Sequence, residues 1–271
     1  MSGRRAARVL FGRELASIVR SRSYLLLFAG VAAVIIGIGI VGGGIDAGYV
    51  PTAVDLLLPL ELLVPAVAFA IGYRSIADDI QRDELSVLET YPVPDWAYVA
   101  GVYVGRAVAL VAMLGLPLFV VGILVWLSAG PDTTIVATHR GIDSPLLFGR
   151  FVLLTLAYAL MVLAVVLALS ALASTRKTAL TFAVVGLGGL VVGLDLLVLR
   201  GVGAGWVTGD TLITAIAASP TSAYRGLVFE TVLYVAFETE TGYASPVAST
   251  FSLLVWTVIG LSVAALGVSQ R

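Results

Sequence analysis

Six apolar runs, at 24–41, 54–72, 98–129, 146–172, 178–199 and 246–268, decide what this chain of 271 residues can become. A run of about 20 residues wound as an α-helix crosses roughly 30 Å of hydrocarbon. In lipid the backbone has to satisfy its own hydrogen bonds, so each run is expected to be a helix. The expected fold is all-α: a polytopic membrane protein with six transmembrane helices, forming a single domain over 1–271. Composition agrees, with 59 % hydrophobic and 12 % charged residues, about half the charge of an ordinary soluble domain. An arginine-rich stretch precedes the first run, as in a secretory signal. That run exceeds an h-region of about 7 to 15 residues and starts too late, so it reads as a retained span. The chain has no cysteine, which excludes disulfides and thiolate metal sites.

Lys and Arg in short loops set the orientation of such a protein. Eleven basic residues, among them Arg74, Arg82, Arg176 and Lys177, fall on one side of a six-span arrangement, and four, Arg140, Arg150, Arg200 and Arg225, on the other. Both termini are thus expected in the cytoplasm, with the chain in the plasma membrane. Arg106 lies about a turn inside the third span, where it can snorkel to the cytoplasmic interface. In the tail, 1–22, Ala7, Phe11, Leu15 and Ile18 recur at spacings of four and three while Arg13 and Arg20 lie opposite, the pattern of an interfacial amphipathic helix.

The segment 200–245 could supply a seventh span only by placing Arg225 and Glu230 in hydrocarbon, at a cost of several kcal/mol. Short helices or a re-entrant pair at the outer face are expected instead, with Pro220 in a first turn and Ser219 as its N-cap.

Between the second and third runs the chain turns polar. Wound as a helix, this stretch places Ile76, Ala77, Ile80, Val87, Leu88 and Tyr91 within about 120° of arc, with Asp78, Asp79, Arg82, Asp83, Ser86 and Glu89 opposite. Glu84 breaks the sorting by projecting from the apolar arc. Pro92 and Pro94 end the helix, because neither donates a backbone hydrogen bond. A membrane-parallel cytoplasmic helix is therefore expected over 74–95. It serves either as a docking element or as a solvated link between two spans.

The order of amphipathic helix, "LSVLETYPVPDWAYVAG" and then "GVYVGR" opening a span resembles the permease subunits of ABC-2-type transporters. Within that family the Tyr91-Pro92-Val93 triplet, and "SPTSAYRGL" with Ser219, Pro220, Tyr224 and Arg225, are similar to the NosY group, which acts in maturation of the copper enzyme nitrous oxide reductase. Asp83 and Glu84 depart from the small pair common in the family, and Asp95 stands where a basic residue is frequent. The resemblance implies a non-catalytic membrane subunit that binds no cofactor itself. ATP and Mg would sit on a separate ABC ATPase, present in two copies and docked through Ile76, Ile80, Glu84, Val87, Leu88, Tyr91 and Pro92. It also implies a second permease copy, identical or related, and an extracytoplasmic accessory protein, with membrane lipid around the spans and no nucleic acid.

Chemistry of the chain's own is sparse. Lys177-Thr178 is preceded by Arg176 where a phosphate-binding loop requires glycine. One histidine, His139, and methionines only at 1, 113 and 161 offer no soft-ligand path for copper, and no metal site is expected. Asp78, Asp79 and Asp83 could hold magnesium and a diphosphate, as in membrane prenyltransferases, but a second aspartate-rich motif is missing. A secondary transporter or channel is the main rival, and no inverted repeat supports it. Glu61, between Pro59 and Pro65, is an intramembrane carboxyl: it either lines a path, pairs with Arg106 or Arg150, or is a neutral structural group. Asp55 and Asp195 fall near outer span ends, where wetting accounts for them. Gly101 with Gly105, and Gly189 with Gly193, have the spacing of close helix contacts.

Overall fold

The computed structural model describes residues 11, 12, 14, 21–81, 94–128, 143–237, 242 and 244–270. Six helices are long and apolar enough to span a membrane, and no strand occurs among the described residues. They are α1 (Arg22–Gly42), α3 (Tyr49–Gly72), α5 (Asp95–Ser128), α6 (Pro145–Leu172), the joined α7 (Arg176–Gly188) and α8 (Leu194–Gly203), and α12 (Pro246–Ser269). Shorter elements are α2 (Gly44–Ala47), α4 (Ala77–Gln81), α9 (Gly209–Ala218), α10 (Pro220–Val228) and α11 (Tyr234–Phe237). The protein is a multi-pass, all-α bundle.

Local chemistry explains where the helices start and stop. Ser144 and Ser245 precede a proline at the first turns of α6 and α12, and each hydroxyl accepts a backbone N–H, at 3.2 and 3.3 Å. Thr175 caps α7 in the same way at 3.1 Å. Gly43, at φ 81°, ends α1 in the left-handed region that glycine alone enters freely. Gly48, at φ 135°, then turns the chain into α3, and a Cβ there would lie 2.6 Å from Asp143 Oδ2. The Asp143 carboxylate accepts the N–H groups of Tyr49 and Val50 at 3.0 and 2.8 Å, which places an anion at the positive end of the α3 dipole. Asp55 is not merely wetted: its Oδ2 accepts the Gly44 N–H at 3.0 Å and so anchors α2.

Helices α3 and α6 form the centre, and α12 lies along α6. A Cβ on Gly260 would come 2.7 Å from the Ala164 backbone, and one on Gly267 would come 3.0 Å from Ala171 Cβ. Both contacts step seven residues in the same direction, so α6 and α12 run parallel, as alternate spans must. The expected glycine pairs fare differently. Gly101 is buried in α5, and Gly105 is met by Glu14 Cβ at 2.6 Å. Gly189 and Gly193 bound a π-helical turn, and neither meets a neighbouring helix within 4 Å. The compound span α7–α8 is peripheral, with 6 % of its most apolar stretch buried against 56 % for α3 and α6.

Residues 209–237 form a re-entrant hairpin. As α10 runs from Thr221 through Tyr224 towards Thr231, its partners on α6 step back from Tyr158 through Thr155 to Arg150. Tyr158 is halfway along α6, so the hairpin tip at Ser219-Pro220 reaches the middle of the bundle and does not lie on its face. Pro220 occupies the first turn as expected. Ser219 occupies the N-cap position but makes no side-chain cap, and its buried hydroxyl finds no partner among the described residues.

Gly260→Ala should destabilise the protein by about 1–3 kcal/mol through overpacking against α6. Gly188→Ala, where a Cβ meets nothing within 4 Å, should be neutral or gain up to about 1 kcal/mol in helix propensity. Reversible denaturation of both variants in detergent measures the contrast.

Candidate functional site

The re-entrant hairpin carries a cation into the bundle, and α3 meets it with an anion. Arg225 on α10 donates from Nε to Glu61 Oε1 at 2.7 Å and from Nη2 to Oε2 at 2.5 Å. This fork is the geometry that a planar guanidinium makes with a carboxylate and an ammonium cannot. Glu61 is buried and the Arg225 side chain 28 % exposed, so the pair sits at the edge of the core. Pro59 and Pro65 flank Glu61 within α3; bundle packing tolerates them.

A second polar layer fixes the hairpin beside this pair. The Tyr158 and Tyr224 rings stack at 4.7 Å with 6° between planes, and both side chains are fully buried. Thr155 donates its hydroxyl proton to the Phe151 carbonyl at 2.9 Å, so Tyr224 is the donor in its 2.8 Å contact with Thr155. Thr221 likewise donates to the Leu190 carbonyl at 3.1 Å, which makes Tyr158 the donor to Thr221 at 3.0 Å. Each hydroxyl thus has one direction in a low-dielectric setting where a missing partner is costly. Ser222 to Asp195 at 2.9 Å and Trp256 Nε1 to the Ala218 carbonyl at 3.1 Å complete the clasp.

At the arginine-rich end, Arg106 is the organising group. Its Nη2 lies 2.9 Å from Glu14 Oε2, and its Nη1 donates to the Ile71 carbonyl and, at 3.4 Å, to the Tyr24 hydroxyl. One guanidinium therefore joins the N-terminal segment, α1, the last turn of α3 and α5. The loop that follows α3 is fixed at its root. Ser170 Oγ accepts the N–H groups of Ile76 and Ala77 at 3.1 and 3.2 Å, and Tyr98 donates to Asp79 Oδ2 at 2.8 Å. Asp78 pairs with Arg74 at 2.9 Å and lies 3.6 Å from Arg176.

Several expectations need revision. Glu61 pairs with neither Arg106 nor Arg150; its partner is Arg225, brought to the same depth by the hairpin. Arg106 does not snorkel to water: it is largely buried, paired with Glu14 and donating to the Ile71 carbonyl within the bundle. Arg150 donates to the Thr231 carbonyl at 2.6 Å. Asp195 does more than face water, since it accepts from Ser222. Ile76 is fully buried and Ile80 half-buried, in keeping with the apolar arc. Asp79, assigned to the polar side, is buried instead, because Tyr98 supplies a donor on its inner side. Glu84, Val87, Leu88, Tyr91 and Pro92, with Arg82, Asp83, Ser86 and Glu89, lie outside the described residues. So do Ala7, Arg13, Leu15, Ile18, Arg20 and His139.

Glu14, Thr155, Tyr158 and Thr221 were not among the expected site residues. Glu14 had a readable signal: at 100° per residue it falls about 20° from Ala7, beside the arc of Ala7, Phe11 and Ile18, a charge bordering an apolar face. Tyr158 and Thr155, three apart in an apolar span, share one helical face. No group of three or more His, Asp or Glu side chains able to hold a metal occurs among the described residues. Compared with known proteins, the chain matches no family model and no curated sequence.

Removing one partner of a buried pair strands the other charge, so Glu61→Gln and Arg225→Gln should each cost about 3–5 kcal/mol. The double variant should recover a large part of that loss. A double-mutant cycle on detergent-solubilised protein reads the coupling, and additive losses would show that the two groups act independently.

Proposed function

We propose that this chain is the membrane subunit of an ABC-2-type transporter, working as a dimer and driven by two copies of a separate ATPase. It would sit in the plasma membrane with both termini in the cytoplasm, the arginine-rich end facing the motor. ATP and Mg belong to the ATPase, and this chain supplies no catalytic group. The likeness of Leu85–Arg106 to the family's docking segment motivates the reading, and one structural observation carries it. The root of the charged loop is bonded into three spans at once, through Ile76 and Ala77 to Ser170, Asp79 to Tyr98, and Asp78 to Arg74 and Arg176. A linker needs no such fixing, whereas an element that transmits force does.

The path of that force follows α3. A push on the loop moves the Ile71 end, where Arg106 ties in the N-terminal segment, and Glu61 lies ten residues, or about 15 Å, further along the same helix. Displacing Glu61 strains its fork with Arg225 and so shifts the re-entrant hairpin, which reshapes the opposite end of the bundle. The peripheral span α7–α8 leaves an apolar face for the second permease copy. The NosY likeness adds a narrower reading, in which the work serves copper-enzyme maturation with an accessory protein on the outer side. The intramembrane ion pair favours one rival, a secondary transporter or channel driven by an ion gradient.

Expressed with its candidate ATPase, the chain should co-purify with it, and Leu88→Asp or Tyr91→Asp should abolish that association without impairing membrane insertion. Vesicles should show nucleotide-dependent function. Gradient-driven transport by the chain alone, with no ATPase bound, would establish the rival.

A further inference from the structure

We propose that the groove between α1 and α3, at the end opposite the arginine-rich one, binds a single phospholipid of the phosphatidylethanolamine class, with its acyl chain in the groove and its ammonium group at Asp55. The groove is a shallow, open-sided cleft of about 560 Å³, a size that small-molecule sites share. Ala33, Gly37 and Val41 follow one another a turn apart along its floor, and a Cβ on Gly37 would meet nothing within 4 Å. From Ala33 to Gly42 the floor runs about 14 Å, close to half of a hydrocarbon core of roughly 30 Å, which is the depth of one leaflet. A cleft of that length, apolar along its α1 side and open to the bilayer, takes one extended chain.

The polar end selects the head group. Among the described residues Asp55 is the only charged side chain lining the groove, and it is half-buried. Its Oδ2 accepts the Gly44 N–H at 3.0 Å, and no hydrogen bond engages Oδ1 among the described residues. A partly desolvated carboxylate with a spare oxygen favours a cation that can also donate. A primary ammonium meets both requirements. A trimethylammonium group has charge but no N–H, and a glycerol head group leaves the lipid with a net negative charge that the carboxylate repels.

Native mass spectrometry of the delipidated full-length protein, titrated with dioleoyl-phosphatidylethanolamine, -phosphatidylcholine and -phosphatidylglycerol, tests the assignment. One lipid should bind, with the ethanolamine form favoured about tenfold, as a charge-assisted hydrogen bond implies. Asp55→Asn retains an acceptor for Gly44 and should level the three head groups. Gly37→Leu fills the floor and should weaken all three while leaving thermal unfolding unchanged. Equal binding of the three lipids by the unaltered protein, a preference for phosphatidylglycerol, or an ethanolamine preference that survives Asp55→Asn would overturn the proposal.

Discussion

Everything polar in the middle of this bundle depends on the fork between Glu61 and Arg225. A guanidinium halfway across a membrane is expensive alone, and so is a carboxylate. Together, with two parallel hydrogen bonds, they neutralise each other and give the re-entrant hairpin a fixed point on α3. Most of the other hairpin contacts join neutral groups, stacked tyrosines, two threonines and an indole on a carbonyl, while Asp195 and Arg150 each engage a neutral hairpin group. They define depth and orientation, but none could bring a charged helix so far into the bundle unaided.

The same helix, α3, organises both ends. Its first turn is capped by Asp143 from the segment before α6, and its last turn gives a carbonyl to Arg106. With Glu61 between them, and Asp55 holding the Gly44 N–H near the capped end, polar anchors lie at three heights along a largely apolar helix. Two internal prolines weaken its backbone ladder on either side of Glu61. The helix is thus firmly held at three heights and softened between them, a construction suited to bending in place and poorly suited to sliding.

The spans were legible because length and hydropathy suffice for them: each of the six apolar runs is a helix, and the boundaries moved by only a few residues. The hairpin was half legible. Arg225 and Glu230 told against a seventh span, but the low cost of Arg225 at depth required Glu61, 164 positions away, and no periodicity links residues so far apart. Asp79 shows the limit of helical sorting. Its assignment assumed that the face opposite the apolar arc is solvated, whereas the first turn of this helix is held against Tyr98 and Ser170. Glu14 shows the reverse, a charge bordering an apolar helical face that proved to be a partner. Glu84 carries the same signal in the charged loop.

The matched small residues on α6 and α12 also bear on how the chain is made. Gly260 and Gly267 fit against Ala164 and Ala171 only when both helices stand side by side in one register. During synthesis the hairpin emerges before α12 and can already seat its tyrosine and threonines on α6. Its remaining contacts, Trp256 to the Ala218 carbonyl and Ala244 beside Gly226, arrive only with the last helix. Insertion of α12 thus acts as a keystone step: until it docks, the membrane holds a bundle whose most polar element is clasped on one side alone, a natural client for the insertion machinery and a natural point at which quality control can reject a faulty chain.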